Sequence, residues 1–252
     1  MLKPLSTALI AASLAACGGG GDDAPAPQAL LSDCAAPTTM VTGVSRYAAT
    51  LQVPFRSGNT PLQGVGTRED HDTFAEPADF NGQRVLRNRT ITTYTFTAPS
   101  ALANAALSQV VDSYYVFNPD GNKTVYATAT AQKWSDQDPV GIYVEAYDPP
   151  YVALGQSAVP PGASSRISTT AVWQSDDNGE TTNGTRPYNV TQTYAGQEQV
   201  TVPGGTFTTC RMENEGADAQ QTFWAIKGPQ GIFVKLQSAG ESAQLISFSG
   251  YQ

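Results

Sequence analysis

The single histidine, His71, stands in the run Arg68-Glu69-Asp70-His71-Asp72, and three acids beside one imidazole have the composition of a metal site. Ligands to one ion must converge, however, and successive residues of a strand point to opposite faces. The run therefore reads as a solvated strand edge or loop, and no metal is expected. The acidic run Ser175-Asp176-Asp177-Asn178-Gly179-Glu180 suggests calcium but lacks the alternate-residue acids of a calcium loop, and reads as a polar hairpin tip. Nucleophilic catalysis needs a base close to a Ser or Cys. The chain has no Gly-x-Ser-x-Gly turn to present such a pair. Glu145, Asp148, Glu198 and Glu213 are available for two-carboxylate chemistry, but no spacing singles out a pair. No catalytic residue and no cofactor is expected, and the chain reads as a non-enzyme.

Charge narrows the partners. A formal net charge of -8 with a pI near 4.5 argues against nucleic acid and anionic lipid, which demand a basic face. Aromatic residues are the remaining means of recognition. Trp134, Tyr143, Tyr147, Tyr151 and Trp173, with Tyr114 and Tyr115, are candidates to line a concave face or barrel mouth that takes a small apolar ligand. Core packing is the competing reading for each.

The first residues are a targeting signal. Met1-Leu2-Lys3 supplies a positive start, and Leu5 to Ala16 is an apolar run too short to span a bilayer permanently. It ends in Leu14-Ala15-Ala16-Cys17, which resembles the lipobox of bacterial lipoproteins. That resemblance implies cleavage before Cys17, lipidation of the Cys17 sulfur with palmitate-type chains, acylation of its amino group, and stable anchoring. Position 18 is Gly and not Asp, so the family rule for inner-membrane retention is not met and the implied address is the outer membrane of the cell envelope. Residues 1–16 are the expected signal peptide, and residues 17–33, opening with Gly18-Gly19-Gly20-Gly21, the lipidated Cys and flexible tether. Residues 34–252 are the expected folded domain. With Cys17 assigned to lipid, Cys34 and Cys210 remain as an even pair in an oxidising compartment and are expected to be bridged. The alternative is two unrelated buried thiols.

About 220 residues beyond the tether suit one all-β domain. The pattern predicts a mainly β fold: a single antiparallel domain of about 10 to 12 strands, a partly open barrel or a sandwich. A first strand runs from Met40 to Val53, and Ser57 to Pro61 is a turn. A long strand from Arg84 to Thr97 carries Val85, Tyr94 and Phe96 as core candidates, their spacing implying a bulge. Ser100 to Val110 is Ala-rich and admits a short helix. Val111 to Phe117 and Thr124 to Trp134 form a hairpin, with Val125, Ala127, Ala129 and Ala131 on one face. The Pro-Pro pairs between Tyr143 and Ala163 exclude a central strand and predict an extended crossover. The C-terminal third reads as an antiparallel meander around the Pro203-Gly204-Gly205 turn.

Val200, Val202, Pro203, Gly205, Thr206 and Phe207, then Trp224, then Gly228, Gly231, Ile232, Val234 and Lys235 together resemble uncharacterised bacterial periplasmic lipoproteins of the domain-of-unknown-function type. The likeness covers about the last 65 residues, with an echo in Tyr147-Asp148-Pro149-Pro150. It implies a β-rich barrel or sandwich in the envelope and no catalysis. Two functions are consistent with it. One is a binding module for a small apolar ligand. The other is a structural or assembly lipoprotein that offers a sheet edge to an envelope protein.

Overall fold

In the computed structural model, residues 29–34, 37–53, 61–103, 105–135, 141–154, 158–177, 179–216, 220–228 and 231–251 are described. The expected signal peptide, Cys17, most of the tether and the turn at Ser57 to Thr60 lie outside the described residues. A 3-10 turn at Leu31–Cys34 leads into twelve strands: β1 Val41–Val53, β2 Leu62–Phe80, β3 Gln83–Ala98, β4 Ala106–Phe117, β5 Lys123–Trp134, β6 Gly141–Ala153, β7 Ser164–Asp177, β8 Glu180–Val202, β9 Gly205–Gly216, β10 Gln220–Ile226, β11 Phe233–Ser238 and β12 Glu241–Ser249. Each strand pairs antiparallel with its neighbours in sequence, and β1 pairs with β12 from Val44↔Ser249 to Leu51↔Glu241. The single antiparallel domain is thus a barrel, closed rather than partly open, and closure removes the free sheet edges.

The turns explain the closure locally. Asn81 and Gly82 take positive φ between Phe80 and Gln83, the two-residue geometry that matches strand twist. Val202 pairs with Gly205 across Pro203-Gly204, with Gly205 at a φ of 131°. The β8–β9 hairpin outgrows its neighbours, and its tip reaches back to the end of β12 that β11 leaves unpaired. There the Gly204 N–H donates to the Leu245 carbonyl at 2.9 Å, and Val202 joins a core with Val234, Leu236 and Leu245.

The wall carries ion pairs between strands. Its outer surface carries Arg46 on Glu69 (2.5 Å), Arg87 on Glu76 (2.5 Å) and Arg89 on Asp112 (2.7 Å). The lumen holds three apolar clusters.

Four local readings are corrected. The Arg68–Asp72 run is not a solvated edge: it lies within β2, paired on both sides, with Asp70 and Asp72 buried and Glu69 and His71 facing out. No short helix forms after Ser100. Residues 99–103 are a turn that buries Leu102, and pairing of Ala106 with Thr95 starts β4 at once, so the sheet ladder overrides Ala propensity. The small residues of β5 do not share one face. Bulges beside Tyr126 bring Thr128 and Thr130 to the lumen side with Val125.

Nor is the Pro149-Pro150 segment a crossover, for it lies in β6. The β5–β6 register passes from Val125↔Tyr151 to Ala127↔Ala146, and the β6–β7 ladder ends at Asp148↔Thr170. The missing proline N–H groups fall where the ladder asks for none.

Candidate functional site

The lumen offers two openings of different character. At the end where β4 begins and β5 finishes, Trp134 and Tyr143 line an open mouth of about 530 Å³ with Gln109, Thr130, Gln132 and Asp177. Trp173 stacks on Tyr143 with centroids 6.3 Å apart and covers Gly184, where a side chain would meet its indole. Three of the five candidate aromatics therefore converge at this mouth. Below it Glu145 accepts from Arg186 at 2.7 Å, from Tyr147 Oη at 3.0 Å and from Tyr143 Oη at 3.2 Å. Burial raises the pKa of both tyrosines, which keeps them donors. This polar floor separates Tyr147 and Tyr151 from the mouth. They pack with Tyr188 and Ala171 as core, the Tyr147 and Tyr151 centroids 4.6 Å apart.

At the opposite end the 3-10 turn Leu31–Cys34 roofs a second cavity of about 210 Å³, lined mainly by Phe74, Leu154, Met212, Phe223 and Phe233 beneath Leu31. Cys34 is bridged to Cys210, as expected, with Cα atoms 6.0 Å apart. Backbone bonds from Leu31 N to Val159 O (3.1 Å) and from Gly228 N to Asp33 O (2.8 Å) fix the turn further. Tyr194 Oη donates to Ala29 O at 3.0 Å.

Two polar residues enter this apolar chamber, and neither stood out in the sequence. Lys123 begins β5, and its Nζ lies 4.7 Å from the Tyr115 ring centroid and 5.4 Å from that of Phe117. Burial lowers its pKa to about 8; the surface it keeps faces the cavity it lines. No carboxylate pairs with it among the described residues. Asn88, on β3, accepts the Ala75 N–H (2.9 Å) and the Tyr115 O–H (2.8 Å) at Oδ1. Those donors fix the amide orientation and leave its two N–H groups without a partner among the described residues. Lys123 sits two residues before inward Val125 and so shares its face. That signal was present, but the polar turn Asn118–Asn122 beside it reads as solvent.

A neighbouring cavity of about 180 Å³ shares Phe74, Asn88, Gly231 and Phe233 and continues to Tyr47, Arg68, Asp70 and Asp72. Its charged groups are paired internally. Arg68 bonds Asp70 (2.8 Å) and Glu241 (2.6 Å), and Asp72 accepts from Tyr251 Oη (2.6 Å) and Thr90 Oγ1 (2.7 Å). Burial raises the Asp72 pKa. This is a braced core, not a vacancy in search of a ligand.

Comparison with known proteins finds no matching family model, no matching curated protein and no matching solved structure.

Proposed function

We propose that the chain is a bacterial envelope lipoprotein, anchored through Cys17 in the outer membrane, whose barrel binds a small apolar ligand in its lumen and catalyses no reaction. One observation carries the binding reading: among the spaces in the lumen, the chamber of about 210 Å³ under the cross-linked roof has mainly apolar walls. Chambers of comparable size, on the order of 150 Å³, hold benzene when their lining is apolar. The lipobox supports the anchor. The described residues Ala29 to Asp33 meet the barrel at the roofed end. The alternative, a lipoprotein that docks a partner on a sheet edge, loses its main support, because strand pairing runs around the whole barrel.

Two measurements test this reading. Cys17→Ser should move the protein from the membrane fraction to the soluble one, and retention of the variant in the membrane would refute the anchor. Organic extraction of protein purified from membranes should release a small apolar compound at near-equal molar amount by mass spectrometry. Extracts that match the buffer blank, from protein that also takes up no added apolar compound, would refute the binding role.

A further inference from the structure

The lumen treats its cations unequally. Arg68 faces Asp70 and Glu241, and Arg186 faces Glu145. Lys123, half-buried as they are, faces aromatic rings and no carboxylate among the described residues. A charge taken out of water without a counter-ion is costly, and a ring face returns only part of that cost. Asn88 repeats the pattern in neutral form: its acceptor is doubly used and its donors are not. Both residues line one chamber, whose other walls are apolar. One cationic donor and one amide donor at an apolar wall are complementary to a monoanion on an apolar body. A phosphate dianion would call for more positive charge than this chamber supplies.

We propose that the chamber beneath Leu31 holds a small apolar carboxylate, its head on Lys123 and Asn88 and its aliphatic or aromatic body against Phe74, Met212, Phe223 and Phe233. The assignment rests on the reading of the barrel as a ligand-binding module and adds the ligand's charge and seat. The volume sets the scale, about that of a single ring or a medium-length chain. The bound carboxylate supplies the counter-ion that the fold withholds from Lys123. The Cys34–Cys210 bridge holds the roof over the apolar end.

Octanoate and 1-octanol share a chain and differ in the head, and calorimetric titration of the mature, oxidised protein with each separates head from body. Octanoate should bind at least about tenfold more tightly than 1-octanol, the worth of one charge-assisted hydrogen bond. Lys123→Met should abolish that preference while 1-octanol binds as before. Equal affinities in the wild type, or a preference that survives in Lys123→Met, would overturn the carboxylate assignment and leave the apolar-binding reading intact. Binding of neither compound would overturn both. Should Lys123→Met fail to fold, the wild-type comparison alone decides.

Discussion

The Lys123 ammonium lies 4.7 Å from the centroid of the Tyr115 ring, and that ring's hydroxyl is tied at 2.8 Å to Asn88 Oδ1. One tyrosine thus organises both polar groups of the chamber: its face takes the cation and its hydroxyl fixes the amide.

This placement gives the ligand-free protein a particular pH dependence. The folded pKa of Lys123, about 8, lies below the ordinary lysine value of 10.5, so between those values the unfolded chain binds a proton that the folded one does not. Stability from this residue therefore rises as pH increases from about 8 to 10, by up to about 3 kcal/mol, and is absent below pH 8. Above pH 10 Tyr115 opposes the trend, since burial pushes its pKa up to about 12. Urea denaturation at pH 7.5 and 9.5 should show the gain in the wild type and none in Lys123→Met. A parallel pH response in the two proteins would contradict this assignment of the lysine.

The bridge between Cys34 and Cys210 spans 176 residues. In the chain-entropy model a loop of that length is worth up to about 5 kcal/mol. Cys34→Ser paired with Cys210→Ser should lower the denaturation midpoint accordingly. Amide exchange at Leu31 and Asp33 should accelerate before that of β1 or β2. If protection at the roof were unchanged, the hydrogen bonds from Leu31 to Val159 and from Gly228 to Asp33 would suffice without the cross-link.

Gly205 holds a φ of 131°, and a side chain on Gly204 would press on the Ile246 carbonyl oxygen at 2.7 Å. Gly205→Val should cost about 1 to 2 kcal/mol or more. Gly204→Ala should detach the hairpin tip from Leu245 with a smaller loss. Thermal melting measures the first and exchange of the Gly204 amide the second. Melting of Gly205→Val at the wild-type temperature would show that the turn tolerates a side chain.

Tyr251 folds back over Gly43, donates to buried Asp72 at 2.6 Å and has Ser45 Oγ 3.1 Å from its hydroxyl oxygen. Tyr251→Phe leaves Asp72 one donor short in a place that already disfavours its charge. The expected loss is about 1 to 3 kcal/mol. Asp72→Asn in the same background should recover part of it, which urea denaturation of the pair would register. No difference between the single and double variants would mean that Asp72 does not depend on this donor.

Class, domain and strands were legible because alternation and turn chemistry act locally. Asn81-Gly82 and Pro203-Gly204-Gly205 mark their hairpins, and Val85, Tyr94 and Phe96 are buried as their pattern implies. The pairing of Cys34 with Cys210 was legible from compartment and arithmetic. Bulges were not. One at Tyr126 turns Thr128 and Thr130 inward, and another makes room for Pro149 and Pro150, because register depends on both neighbouring strands and not on the strand's own sequence. The chamber escaped notice for a related reason. Lys123 and Asn88 come from β5 and β3, with β4 between them, and line one chamber only once the three strands are paired. The aromatic residues that were conspicuous divide between the mouth, where Trp134, Tyr143 and Trp173 gather, and the core, where Tyr147 and Tyr151 pack.

Methyl NMR of the mature protein during titration with 1-octanol tests the binding claim most directly. Saturable shifts at Leu31, Leu154 and Met212, with Ile142 at the mouth unmoved, are the predicted result. Shifts confined to Ile142, or none that saturate, would contradict a ligand chamber beneath the cross-linked roof.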